Sequence, residues 1–206
     1  MLTKQRADRV LLSNISWQQF ENILRDLGET RASRVAYCDG TLEIMTPLPE
    51  HEFYKEAIGD AIKDCADELE IDYESLGSTT WRKPAAKAGL EPDNCFYFQN
   101  EPLIRGQLDY DLSKDPPPDL ALEIELTSRS LERFPIYGRL GVPEIWSYED
   151  GEITIYLLDR GEYRVSEMSL ALPQISVTKM MALIEENRPL GRRAIRRAIR
   201  EWAKTL

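Results

Sequence analysis

The chain has 206 residues, 42% of them hydrophobic, and carries 36 acidic against 26 basic side chains for a net charge of −10. That length suits one globular domain able to bury a core without staples, and the acidic excess argues against the broadly basic surface of an ordinary nucleic-acid binder. No apolar run approaches the roughly 18 residues of a membrane span, and MLTKQRADRVLLSN has no long apolar region ahead of a cleavage site, so a soluble, untargeted, cytoplasmic protein is expected.

Ser16 and Gln19 form a capping-box pattern ahead of WQQFENILRDL, which predicts a helix stopped by Gly28. RVAYCDGTLEIMTP then reads as a hairpin turning at Asp39-Gly40. After Pro47 and Pro49, apolar residues at helical spacing from Tyr54 to Leu69 predict a long helix from about His51 to about Glu70, its other side acidic. Strands are predicted near IDYESLG, STTWRK and NCFYFQN, and again at the run PPPDLALEIELTS, residues 116–128. A helix follows over Ser130 to Leu140, with Pro135 tolerated in its first turn and Gly141 ending it. Turns at Asp150-Gly151 and Arg160-Gly161 divide three more strands, and two helices close the chain over about 176–186 and 191–204. The last of these is basic: residues 188–206 carry seven Lys or Arg against one Glu. Such a helix either neutralises an acidic body or meets phosphates or a partner chain. The order of elements predicts an α/β or α+β domain with a mixed sheet.

Phosphate-cradling and hydrolase motifs (GxGxxG, GxxxxGK[ST], GxSxG) are absent. His51 is the lone histidine and reads as a polar residue at the start of its helix, which leaves no Ser/His or Cys/His pair and no histidine-based zinc site. Cys38, Cys65 and Cys95 are odd in number and share no CxxC spacing, so they read as core residues in a reducing compartment. Oxygen chemistry remains. Asp119, Glu123 and Glu125 alternate along one strand and so project from one face, opposite Leu120, Leu122, Ile124 and Leu126. Crowded, partly dehydrated carboxylates need a compensating charge. Mg²⁺ or Mn²⁺ supplies it and can activate water or clamp a phosphate oxygen; the competing account is a strand-capping Asp119 and a Glu125 paired with an arginine.

Pro92-Asp93 before one strand and Glu123-Ile124-Glu125 within a later one resemble the PD-(D/E)XK nuclease superfamily. With DGTLEIM, PEHEFY, GLEPDNCFY, PPPDLALEIELTS and RFPIYGRLGVPEIW in series, most of the chain is similar to the Uma-two restriction endonuclease family, in a cyanobacterial-like branch. The resemblance implies a restriction-endonuclease-like domain over 1–206, with a core of about 30–187 and a basic C-terminal helix over 188–206. It implies Asp93 as the first metal-binding carboxylate and Glu123 as the acid of the (D/E)-x-K pair, binding Mg²⁺ or Mn²⁺. Glu125 stands where that pair has Lys, able to bind metal or act as a base but not to supply a cation. Arg133, four residues before Tyr137, occupies the place to which related members move the Lys. Asp119 ranks as a fourth carboxylate at the rim. The expected activity is metal-dependent cleavage of double-stranded DNA by a homodimer; the alternative is a catalytically degenerate homodimeric interaction or nucleic-acid-binding module.

Overall fold

In the computed structural model, which describes residues 8–28, 32–126 and 131–206, strand β1 (Arg9–Leu12) comes first. Its four residues are too few to carry a period, which is why no sequence signal marks it. Helix α1 (Trp17–Leu27) has the predicted capping box, with Gln19 N–H donating to Ser16 Oγ and Ser16 N–H to Gln19 Oε1. Strands β2 (Arg34–Cys38) and β3 (Thr41–Met45) form the hairpin, with Asp39 and Gly40 at φ 44° and 90° in the turn. Both φ values are positive, as a type I′ turn requires.

Helix α2 (Pro49–Glu68) is followed by β4 (Glu74–Ser75), β5 (Trp81–Lys83), β6 (Ala88–Leu90) and β7 (Asn94–Tyr97). A short helix α3 (Glu101–Ile104), not predicted, precedes β8 (Leu120–Glu125). Helix α4 runs over Phe134–Leu140 with Pro135 second; the predicted start at Ser130 lies outside the described residues. Strands β9 (Glu144–Glu149), β10 (Glu152–Asp159) and β11 (Glu162–Ser166) and helices α5 (Val177–Asn187) and α6 (Arg192–Ala203) complete the chain.

The strands form two sheets, ordered β1-β3-β2-β6-β5 and β11-β10-β9-β8-β7-β4. Among the described residues only β8 and β9 pair in parallel, with α4 between them in the chain; the other pairings are antiparallel. The alternation of β8 is obeyed. Leu120, Leu122 and Ile124 pack with Ile58, Ile62, Met180, Ile184, Ile195 and Ile199 of α2, α5 and α6. The other face, that of Ala121, looks into a second cluster built from α4 and the five-stranded sheet, including Ala36, Trp81, Leu90 and Tyr137. Phe20 and Leu24 of α1 cover the far side of that sheet against Val35 and Tyr37.

Gly59 is where α2 passes the Asn94 side chain of β7. A Cβ there would sit 2.8 Å from Asn94 Nδ2, so any larger residue displaces that amide.

The basic helix is held to the body. Arg196 donates to Asp64 Oδ2 and Oδ1 at 2.9 and 2.7 Å, Arg200 Nε adds 2.7 Å, and Asp64 is fully buried on α2. Arg192 faces Asp60 at 3.5 Å and lies over the Phe53 ring at 5.4 Å. Of the two roles predicted for this helix, neutralising the acidic side of α2 is the one that these contacts fill. Among the described residues, no helix is long and apolar enough to cross a membrane.

Candidate active site

Asp93 immediately precedes β7 and is tied to β8. Its N–H donates to Leu122 O at 3.2 Å, and its Oδ2 accepts the Ile124 N–H at 2.8 Å. Because Asn94 pairs with Leu122, this carboxylate lies alongside Glu123. Both are buried, at 2% and 1% exposure, a costly state for two anions unless charge is returned to them.

Arg133 returns it. The residue precedes the first turn of α4 and is itself 3% exposed. Its Nη1 donates to both carboxylate oxygens of Glu123, at 3.1 and 2.8 Å. Tyr137, one turn further along α4, donates its hydroxyl to Glu123 Oε1. The i, i+4 spacing of Arg133 and Tyr137 therefore puts two donors of one helix face on a single carboxylate. Burial works against the charge of Arg133, yet Glu123 and then Asp93 offset it and hold the guanidinium above its ordinary pKa. Burial and the Glu123 charge push the Tyr137 hydroxyl far up, so it stays protonated.

Two further residues join. Glu43 of β3, 1% exposed, has Oε1 3.8 Å from Arg133 Nη2 and Oε2 3.5 Å from Arg9 Nη1. His51 of α2 is buried, with Nε2 3.1 Å from Asp93 Oδ2 and Nδ1 3.6 Å from Glu52 Oε1. Desolvation alone would raise the Asp93 pKa; His51, Arg133 and the Ile124 N–H outweigh it and hold the carboxyl below the usual range. The reading of His51 as a polar residue at the helix start is thus corrected: its ring lies inside the site. Nothing in the spacing around a single histidine announces that. Glu43 had a signal, a lone carboxylate in an otherwise apolar strand, of the same kind that marks β8.

The remaining predicted residues separate. Glu125 ends β8, half-buried and in register with Glu149 of β9. Asp119 goes elsewhere. Four residues before Glu123, about 13 Å along an extended chain, it accepts N–H groups of Phe98 and Asn100 at 2.8 and 2.9 Å and the Asn100 side-chain amide at 2.5 Å. Its carboxylate is committed to holding the loop before α3, which corrects its ranking at the rim of a metal site. A cleft of about 970 Å³ lined by Arg25, Arg34, Thr80, Arg82 and Glu91 takes in none of the predicted site residues.

Among the described residues, no group of three or more His, Cys, Asp or Glu stands close enough to cage a metal ion. Asp93 and Glu123 make a set of two carboxylates. Mg²⁺ commonly binds through one or two carboxylates and completes its shell with water and substrate oxygens. Asp93 Oδ1 is buried and accepts no hydrogen bond from the described residues, which leaves it available as a donor beside Glu123.

Residues 17–185 match the family model described as "Uma2: Putative restriction endonuclease". No curated protein matches the chain. Among solved structures, the chain is similar to a "putative nuclease belonging to DUF820 from Anabaena variabilis ATCC 29413", determined at 1.96 Å, with 13% identity and a TM-score of 0.48 over 85% of this chain and 96% of that one.

Proposed function

This chain belongs to the Uma2 family, described as putative restriction endonucleases, and from that premise we propose that it is a Mg²⁺- or Mn²⁺-dependent endonuclease hydrolysing phosphodiester bonds in double-stranded DNA. The observation that carries the proposal is that Asp93, just ahead of β7, lies beside Glu123 of β8, two buried carboxylates with Asp93 Oδ1 lacking a hydrogen-bond partner among the described residues. Asp93 and Glu123 would hold the ion, which when bound supplies an activated water and a clamp on a phosphate oxygen. Glu125, on the same face of β8 as Glu123, would orient that water or accept its proton. Arg133 is always protonated and so serves as a stabiliser of developing negative charge, not as a base. His51 and the Ile124 N–H, both at Asp93 Oδ2, would leave Oδ1 for the ion.

Plasmid nicking with Mn²⁺, followed for wild type, Asp93→Asn and Glu123→Gln, tests the reading. Metal-dependent nicking by the wild type, lost in both variants, is expected; nicking that survives both, or a wild type that never nicks, overturns it. The grip of Arg133 on Glu123 favours a second reading, a degenerate nuclease fold acting as a homodimeric interaction module. That reading predicts no saturable metal binding in any form.

A further inference from the structure

Glu123 is held by donors that a metal ion would have to replace. Arg133 Nη1 spans both of its oxygens and the Tyr137 hydroxyl takes Oε1 again. Asp93 divides its two oxygens differently. Oδ2 receives Ile124 N–H and faces His51, whereas Oδ1 is buried without a hydrogen-bond partner among the described residues. An arriving cation therefore meets one carboxylate that is open and one that is latched.

The identity of the latch matters. A lysine can be pushed toward its neutral form when buried and so let go as an amine; a guanidinium cannot lose its proton and must leave as a cation. Arg133 also sits at the boundary of α4, before the first helical residue, so a change of its side-chain rotamer breaks no backbone hydrogen bond of the helix. A displaced, charged, five-donor fork matches a phosphate bidentately.

We propose that Arg133 is the resident counter-ion of the Asp93–Glu123 pair, that a divalent cation gains Glu123 only by displacing it, and that the displaced guanidinium is thereby delivered to a substrate phosphate. The cation binding and the phosphate contact both rest on the metal-dependent nuclease reading; the cation step is tested without DNA. Asp93 Oδ1, without a hydrogen-bond donor among the described residues, would hold a cation without displacing anything, whereas Glu123 would have to give up the Arg133 contact, which would lower the wild-type affinity.

Mn²⁺ calorimetry without DNA, on wild type, Arg133→Met and Arg133→Lys, tests the competition. Arg133→Met should bind Mn²⁺ more tightly by about 5- to 150-fold, the range of ordinary binding couplings, and Arg133→Lys by a smaller factor. Equal or weaker binding by a cooperatively folded Arg133→Met overturns the proposal. Should that variant not fold, equal or weaker binding by Arg133→Lys does so. The wild type gives an independent readout. In Mg²⁺ titrations followed by NMR, the exchange-protected Arg133 Nη–H signals should lose protection as the site saturates, and protection retained at saturation also overturns it. None of these measurements contains DNA, so a failure to nick plasmid sinks the nuclease reading and leaves the counter-ion result standing.

Discussion

His51 Nε2 lies 3.1 Å from Asp93 Oδ2, so the lone histidine of the chain, on α2, is brought against a carboxylate at the start of β7. The contact reserves one oxygen and leaves the other exposed to the interior of the site. His51→Ala should therefore weaken Mn²⁺ binding by about 10- to 100-fold, the usual effect of losing a group that orients a ligand. His51→Gln, which can donate from a similar position, should recover part of it. Calorimetry on both, with thermal unfolding to monitor the fold, checks this. Unchanged affinity in His51→Ala would show that Asp93 needs no orienting partner.

Asp119 makes the opposite prediction. Its three donors all come from the loop before α3, so Asp119→Ala should cost about 2–4 kcal/mol of stability and leave Mn²⁺ affinity within about twofold. Denaturant unfolding gives the first number and calorimetry the second. A loss of metal binding with little loss of stability would return Asp119 to the site.

Asp64 joins α6 to α2. It is fully buried, while Arg196 and Arg200 are 42% and 40% exposed at their side chains, so solvent screening trims the loss from removing it to about 2–3 kcal/mol. Asp64→Ala should show this in denaturant unfolding, and α6 should become the earliest segment to exchange its amide hydrogens. A variant as stable as the wild type would mean that the apolar contacts of Ile195 and Ile199 hold α6 alone.

Asp39 in the hairpin turn is held below the ordinary carboxylate pKa by its hydrogen bond from Arg139 of α4. A depressed folded-state pKa gives a contribution that is present above the unfolded value, about 3.9, and is lost as pH falls through the folded one. An NMR titration should therefore show the Asp39 carboxyl protonating at lower pH than in the Arg139→Gln variant. A coincident titration in both would exclude the pairing in solution.

The three thiols should divide by burial. Desolvation pushes Cys65 and Cys95 up to about 12, beyond reach of a thiolate-selective reagent in the native protein. Cys38 is raised by partial burial and by the Asp39 charge, with Arg139 opposing. One label is expected at mildly alkaline pH in the folded protein and three in denaturant, counted by mass spectrometry. More than one native label would place Cys65 or Cys95 at the surface.

Much of this molecule was legible because local chemistry and tertiary structure agree. The capping box at Ser16, the Asp39-Gly40 turn and the two-faced β8 each express a backbone rule that needs no distant partner. The site was legible where the carboxylates break the apolar pattern of a strand, as at Glu123. It was not legible where meaning arises across the fold. His51 acquires its place only where the first turn of α2 meets Asp93 ahead of β7, and Asp119 looks like a member of the carboxylate series until the loop at Phe98–Asn100 turns its N–H groups toward it. Arg133 was found through resemblance; that its guanidinium would close on Glu123 together with Tyr137 follows from the helix period, once the helix is known to face the strand.

The docking of α6 also has a consequence in time. A nascent chain that has emerged as far as β11 already contains Glu43, His51, Asp93, Glu123 and Arg133, and β8 to cover part of α2, yet Asp64 and the side of α2 that meets α6 have no cover until residues through Ala203 are available. At translation speeds of about 5–20 residues per second, that interval is brief but obligatory. During it the growing polypeptide shows chaperones an acidic, half-clothed helix, and the matched family segment, ending at residue 185, stops short of the piece that clothes it.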